Sequence, residues 1–274
     1  MNPSSTPRVP GTTLRLIWPQ WQGAGSSSVR ALAAEFPFAI ARRGYTVGSA
    51  VLDAIVPPTD GPTATVSVPV GDEGTEIVDG IEAKAVILAQ LSDALEKIAG
   101  HDPERILTLG GDCAVSVAPF AYLAARYPDD LAIVWIDSHP DVDTPQTAYA
   151  GYHAMAVSAL VGRGDQDVLA HLPATVDAGR VALAGLHSWQ EDAHANIGAW
   201  GLTTFAPDDL RDSSRPLLDW VASTGCSKLA VHFDVDTIDS NEMVYGLGAE
   251  PDGLTGVQVR RILADLAAAS DVVG

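Results

Sequence analysis

The stretch Ile133-Val134-Trp135-Ile136-Asp137-Ser138-His139-Pro140-Asp141 decides the fold class of this chain. A run of apolar, largely β-branched and aromatic residues reads as a strand buried on both faces, and it ends abruptly in acids and an imidazole. A second run, Leu229-Ala230-Val231-His232-Phe233-Asp234-Val235-Asp236, repeats the pattern. Side chains alternate along extended backbone, so Asp137, His139 and Asp141 are expected to point together, as are Asp234 and Asp236. Carboxylates gathered at strand ends repel one another and resist desolvation unless cations lie among them. The arrangement asks for divalent metal, and for more than one ion.

Working outward, strands and helices alternate. Strands are expected at Thr13–Trp18, Tyr45–Leu52, Arg105–Leu109, Leu131–Ile136, Arg180–Leu186 and Leu229–Val235. Helices are expected at Ser26–Arg43, Val78–Ala99, Ala114–Arg126, Ala154–Gly162, Ser214–Ser223 and Thr255–Ala268, with 57–76 a surface loop. This order gives an α/β fold with a central parallel sheet and helices on both faces. No internal repeat or linker divides the chain, so residues 13–274 are expected to form one domain after a flexible tail, 1–12. In such sheets ligands bind at the carboxyl ends of the strands, where the acids lie. Gly110-Gly111-Asp112-Cys113 follows another strand, and its glycines permit a tight turn that brings Cys113 to the same cluster.

Composition narrows the partners. The chain has 274 residues, a 47% hydrophobic share and a formal charge of -19, which argues against nucleic acid and anionic membranes and favours a cationic small substrate. No apolar run reaches the roughly 18 residues of a membrane span, and no apolar signal core opens the chain. Two cysteines, Cys113 and Cys226, make no disulfide framework, so a reducing cytoplasm is the expected compartment and Cys226 a small core residue. His187 and His194 are left unassigned. His232 shares parity with Asp234 and reads as a donor supporting the ligands from behind.

The segments GGDC, DSHPD and HFDVD, in this order, resemble the three signatures of the arginase/agmatinase (ureohydrolase) family, roughly GGDH, DAHxD and SxDxDxxDP. Gly253-Leu254-Thr255 and Gly151-Tyr152-His153-Ala154-Met155 match two further family segments. The resemblance implies an arginase-like three-layer sandwich and two divalent ions, manganese by preference, sharing aspartates and a bridging hydroxide. It implies Cys113, Asp137, Asp141 and Asp234 around one ion, and His139, Asp137, Asp234 and Asp236 around the other. His153 and Asp141 are the candidate catalytic residues, His153 moving a proton to the leaving amine. Assembly as a homo-oligomer, a trimer or hexamer, is implied in the same way.

Departures from the family pattern shape the expected chemistry. Cys113 stands where the family has histidine; a thiolate is soft, which opens the site to Fe, Zn or Ni. Asp143 takes the place of an asparagine that helps hold the α-carboxylate of arginine, and neither Ser188 nor Gln190 supplies the family's acidic grip on its α-amino group. A guanidino compound other than unmodified L-arginine is therefore expected. Val257 and Gln258 replace an Arg-Glu pair at subunit contacts. Asp271-Val272-Val273-Gly274 reads as the opening of one more strand, cut short before a glutamate that holds the guanidinium in relatives. Hydrolysis of a guanidino compound to urea or a urea-like product and an amine is the leading expectation. A non-catalytic metal-binding subunit, or a one-metal hydrolase such as a deacetylase, are the alternatives.

Overall fold

In the computed structural model, which describes residues 12–274, Leu131–Ile136 lies at the heart of a parallel sheet and all six of its residues are buried. The strands of the described chain are β1 (Thr13–Trp18), β2 (Thr63–Thr65), β3 (Ile77–Val78), β4 (Ile81–Glu82), β5 (Arg105–Gly110), β6 (Leu131–Ile136), β7 (Val181–Ala184), β8 (Thr203–Phe205), β9 (Lys228–Phe233) and β10 (Asp271–Val272). The helices are α1 (Ser26–Leu32), α2 (Phe38–Ala41), α3 (Gly44–Ile55), α4 (Lys84–His101), α5 (Val117–Arg126), α6 (Ala156–Leu160), α7 (Gln166–His171), α8 (Glu191–Trp200), α9 (Pro207–Leu210), α10 (Arg215–Thr224) and α11 (Gly256–Ala269).

Two parallel sheets form, in the orders β2-β1-β5 and β10-β9-β6-β7-β8. They meet where Ile106 N–H donates to the Val273 carbonyl at 2.9 Å, just past β10, and where Arg105 bonds Asp271 at 2.5 Å. Alternate residues of β6 serve opposite cores. Leu131, Ile133 and Trp135 pack with α4, α5 and α6, whereas Ala132, Val134 and Ile136 pack with α9, α10 and α11. The result is three layers, with helices on both faces as the continuous apolar strands require. The β3–β4 hairpin stands apart as a small antiparallel pair.

Three expectations need correction. The helix expected over Val78–Ala99 begins only at Lys84, because Val78, Ile81 and Glu82 belong to the β3–β4 hairpin. Ser26–Arg43 is not one helix; it breaks after Leu32 and resumes at Phe38, because Pro37 lacks a donor and disfavours helix at Phe36. Tyr45–Leu52 is helix, within α3, not strand. Its β-branched residues suit a strand, but the place beside β1 is taken by β2, drawn from the segment read as loop. The helix instead lies against the sheet, where buried Ser49 donates to the Leu109 carbonyl at 3.2 Å. Buried Arg15 closes its end by donating to the carbonyls of Asp53 (2.8 Å) and Pro57 (2.9 Å). Tertiary contacts override local propensity here.

The tail expected at 1–12 lies outside the described residues except Thr12, whose carbonyl accepts the Arg105 N–H at 3.4 Å. Helices α7, α8 and α9 and strand β8 were not anticipated. Gln258 forms a capping box with Thr255 at the start of α11, a local duty that explains its amide without reference to a subunit contact.

Candidate metal centre

Three loops converge past the carboxyl ends of β5, β6 and β9. After β5 the chain turns at Gly111, where an added Cβ would sit 1.7 Å from the Gln20 carbonyl oxygen; only glycine fits. Buried Asp112 fixes the turn by accepting from Ala114 N (3.1 Å) and Gly23 N (2.9 Å), which leaves Cys113 facing the cluster. Burial pushes the Asp112 carboxyl up to about 7.

The acids converge for a reason other than strand alternation. β6 ends at Ile136 and β9 at Phe233, so Asp137–Asp141 and Asp234–Asp236 lie in turns. Asp137 accepts the His139 N–H at 2.7 Å and the indole N–H of Trp135 at 3.1 Å. Asp141 is held in the left-handed region, at φ 49°, which is unusual for a non-glycine residue and marks a backbone shaped around the site. Asp234 accepts the Asp236 N–H at 3.0 Å and so caps the short turn Val235–Thr237. Ser138 donates from Oγ to Asp236 at 2.6 Å, tying the second loop to the third.

Three overlapping sets of ligand atoms result, each spanning no more than 4.8 Å: Cys113, Asp137, His232 and Asp234; Cys113, Asp141 and His153; Asp137, His139 and Asp236. Every candidate ligand read from the sequence (Cys113, Asp137, His139, Asp141, Asp234 and Asp236) falls in one of them, and His153 joins them. Asp137 belongs to two.

The cluster's own charges oppose one another. Burial, then the neighbouring carboxylates Asp236 and Asp137, push Asp234 up to about 8. Burial and Asp137 likewise raise Asp141 well above the usual carboxylate range. Burial and the surrounding acids raise the Cys113 thiol, which donates to Asp234 Oδ2 at 3.1 Å. Burial also works against the charge of Asp137, but the imidazoles of His139 and His232 hold it below the ordinary value. Burial opposes protonation of His139 too, yet Asp137, Asp236 and Glu250 hold its pKa well up. Burial, then His139, lowers His153 to about 4. Buried Asp141 Oδ2 and His232 Nε2 have no hydrogen-bond partner. Carboxylates, imidazoles and a thiol crowded together with orphaned acceptors fit divalent cations.

His153 is less open than expected. Its Nε2 lies 2.8 Å from the Tyr149 hydroxyl, which also accepts Gly25 N–H at 3.0 Å, and its Nδ1 lies 3.7 Å from Cys113 Sγ. Asp143 is buried and burial raises its pKa. Cys226, half-buried, lies against the Thr224 carbonyl away from the cluster. Sequence reasoning missed two residues outright. Glu250 Oε1 approaches His139 Nε2 at 3.7 Å from a loop with no pattern to betray it. Tyr149 precedes His153 by four residues, a spacing that could have suggested a pair.

Known proteins resemble this chain in sequence and in fold. A model of the arginase family matches residues 37–274. Arginase from Eremothecium gossypii is 26% identical over 152 residues, covering 52% of this chain and 38% of the relative. The N(omega)-hydroxy-L-arginine amidinohydrolase of Streptomyces lavendulae is 25% identical over 182 residues, covering 66% of this chain and 62% of the relative. The matched part is thus less than two thirds of these relatives' length. The crystal structure of Entamoeba histolytica arginase with L-ornithine superposes with a TM-score of 0.73 at 16% identity, covering 96% of this chain and 90% of that one, which bears on the fold alone.

Proposed function

This chain belongs to the arginase family, and from that premise we propose that it is a metal-dependent hydrolase of a guanidino compound, releasing urea or a urea-like product and an amine. The observation that carries the reading is the convergence of three loops on overlapping ligand sets, two of them joined by Asp137 and two by Cys113. Cys113, Asp137, Asp141 and Asp234 would hold one divalent ion, and His139, Asp137, Asp234 and Asp236 the other. Such ions, when bound, neutralise the acids and lower the pKa of a water near neutral pH.

The chain's own groups then order the chemistry. Asp141 Oδ2, buried and without a partner, is the proton acceptor facing the site. His153, held between Tyr149 and Cys113 and neutral at ordinary pH, relays the proton accepted at Asp141 to the nitrogen of the departing amine and is left neutral again. Glu250 keeps its carboxylate ionised beside His139 and so helps to orient that imidazole. A modified arginine suits the chain better than L-arginine, because Ser188 and Gln190 offer no acid to an α-amino group and Asp143 no amide to an α-carboxylate. The name of the Streptomyces lavendulae relative supports that choice.

The test is to load the purified chain separately with Mn, Fe, Zn and Ni and incubate each form with L-arginine, N-hydroxy-arginine, agmatine and other guanidino compounds. Urea or hydroxyurea is then measured together with the amine. Stoichiometric product from at least one pairing is expected. Two ions bound with no product from any would overturn the reading in favour of a non-catalytic subunit, and one ion per chain would favour a one-metal hydrolase. Light scattering checks the proposed trimer or hexamer.

A further inference from the structure

We propose that His232 is itself a metal ligand, binding through Nε2 to the ion that Cys113 shares with Asp137 and Asp234; the inference rests on the metal-dependent reading above and extends its ligand set. His232 lies on β9, directly across from Trp135 on β6 in the sheet register. It is 7% exposed. Its ring stacks flat on the Trp135 indole, with 3.6 Å between centroids and 8° between planes, so the imidazole has one orientation. Nδ1 lies 2.8 Å from Ser116 Oγ. Ser116 closes the same short turn that Cys113 opens, so one turn supplies both the thiol and the group that orients the imidazole.

This leaves Nε2 aimed into the cluster. It is buried without a hydrogen-bond partner, and the nearest recorded carboxylate oxygen, Asp137 Oδ2, is 3.7 Å away. That is too long for a hydrogen bond. It is close to the spacing of two ligands on one ion: donors about 2.1 Å from a metal at tetrahedral angles lie about 3.4 Å apart. A buried imidazole nitrogen left unpaired is destabilising, and a cation would remove that penalty. Nδ1–H donating to an oxygen while Nε2 faces the metal is the usual arrangement of a ligating histidine.

The consequence is chemical. Sulfur, imidazole and two carboxylates make a set suited to Zn, Fe, Co or Ni, rather than the hard oxygen set of manganese. In this chain the imidazole of the first site would come from the strand, while the thiol occupies the turn. His153, the other imidazole near Cys113, already has both nitrogens engaged.

Cobalt binding tests this without relying on activity. Titrated with Co(II), the full chain is expected to show a thiolate-to-cobalt charge-transfer band and intense visible bands of a four-donor site. His232→Phe keeps the stack on Trp135 but removes both nitrogens. It should retain the charge-transfer band, lose intensity in the visible bands, and bind the tighter cobalt at least tenfold more weakly. An unchanged affinity and spectrum would overturn the inference while leaving the hydrolase reading intact; no cobalt bound by the unaltered chain would overturn both. Should H232F fail to fold, absorption fine structure at the zinc edge is read from the double variant His139→Gln/His153→Gln. Imidazole scattering together with sulfur supports His232, and sulfur without imidazole refutes it.

Discussion

Stripped of metal, this protein should lose stability as pH rises through the weakly acidic range, and the size of the loss follows from the cluster. Asp112 titrates near 7 and Asp234 near 8 in the fold, against an ordinary value of 3.8, so each keeps its proton longer folded than unfolded. A raised acid contributes stability that is present while its proton stays on and is lost once the unfolded chain ionises and the folded chain does not. Stability therefore falls with pH between about 4 and 7–8 for these groups. His153 works the other way. Its folded value of about 4 lies below the ordinary 6.5, so the unfolded chain binds the extra proton and stability rises across that interval. Asp137, held low, is ionised in both states above pH 5 and adds no slope.

Two acids against one imidazole leave one net proton. At 1.36 kcal/mol per unit, the loss between pH 4.5 and 6.5 is on the order of 3 kcal/mol. Asp234 is not fully buried, and solvent screening discounts its share, whereas buried Asp141, raised in the same direction, adds to the loss. For a chain of this size the loss amounts to a fall of about 5–11 °C in Tm. The assay is thermal unfolding by circular dichroism in EDTA at several pH values, repeated with saturating Zn or Mn. With metal, binding displaces the protons and the slope should vanish or reverse. A Tm in EDTA that is flat or rises from pH 4.5 to 6.5 would refute the electrostatic account of the cluster.

Other outcomes follow from single residues. Asp137→Asn removes a carboxylate common to two ligand sets, so bound metal should fall by elemental analysis at both positions and hydrolysis by more than a hundredfold; loss of one ion alone would contradict a shared ligand. Gly111→Ala drives a Cβ into the Gln20 carbonyl and should cost at least about 2 kcal/mol in urea unfolding, well beyond a surface Gly→Ala change. Tyr149→Phe deletes a hydroxyl that bonds both His153 and the Gly25 N–H; about 1–2 kcal/mol of stability and a shifted pH–rate profile are expected, and an unchanged profile would remove Tyr149 from the proton path.

The centre was legible because its donors are contiguous: DSHPD and HFDVD each deliver several in one short stretch, and the apolar runs before them specify a parallel sheet whatever the helices do. The manner of convergence was not. Alternation along a strand stops at Ile136 and Phe233, and the acids are gathered by turns capped by Asp112 and Asp234, with Asp141 in the left-handed region. Glu250 and Arg15 were invisible for a related reason, since their partners lie far along the chain and leave no periodic trace. The segment Tyr45–Leu52 misleads because strand propensity says nothing about which edge of the sheet is vacant.

Register ties fold to chemistry. β6 and β9 pair with Trp135 opposite His232 and Ile136 opposite Phe233, so the two acid turns leave the sheet side by side. A slip of one residue would bring Val231 or Phe233 opposite Trp135 and turn His232 toward the other core, dissolving the stack and separating Asp234 from Asp137. The apolar faces oppose such a slip, because Ala132, Val134 and Ile136 fill one core and Ile133 and Trp135 the other. Hydrophobic burial thus supplies the free energy that holds mutually repelling acids together, with ligand atoms of each set within 4.8 Å of one another. Cations then recover part of that free energy, so a substitution that loosens the sheet at β6 should weaken metal affinity even where it touches no ligand.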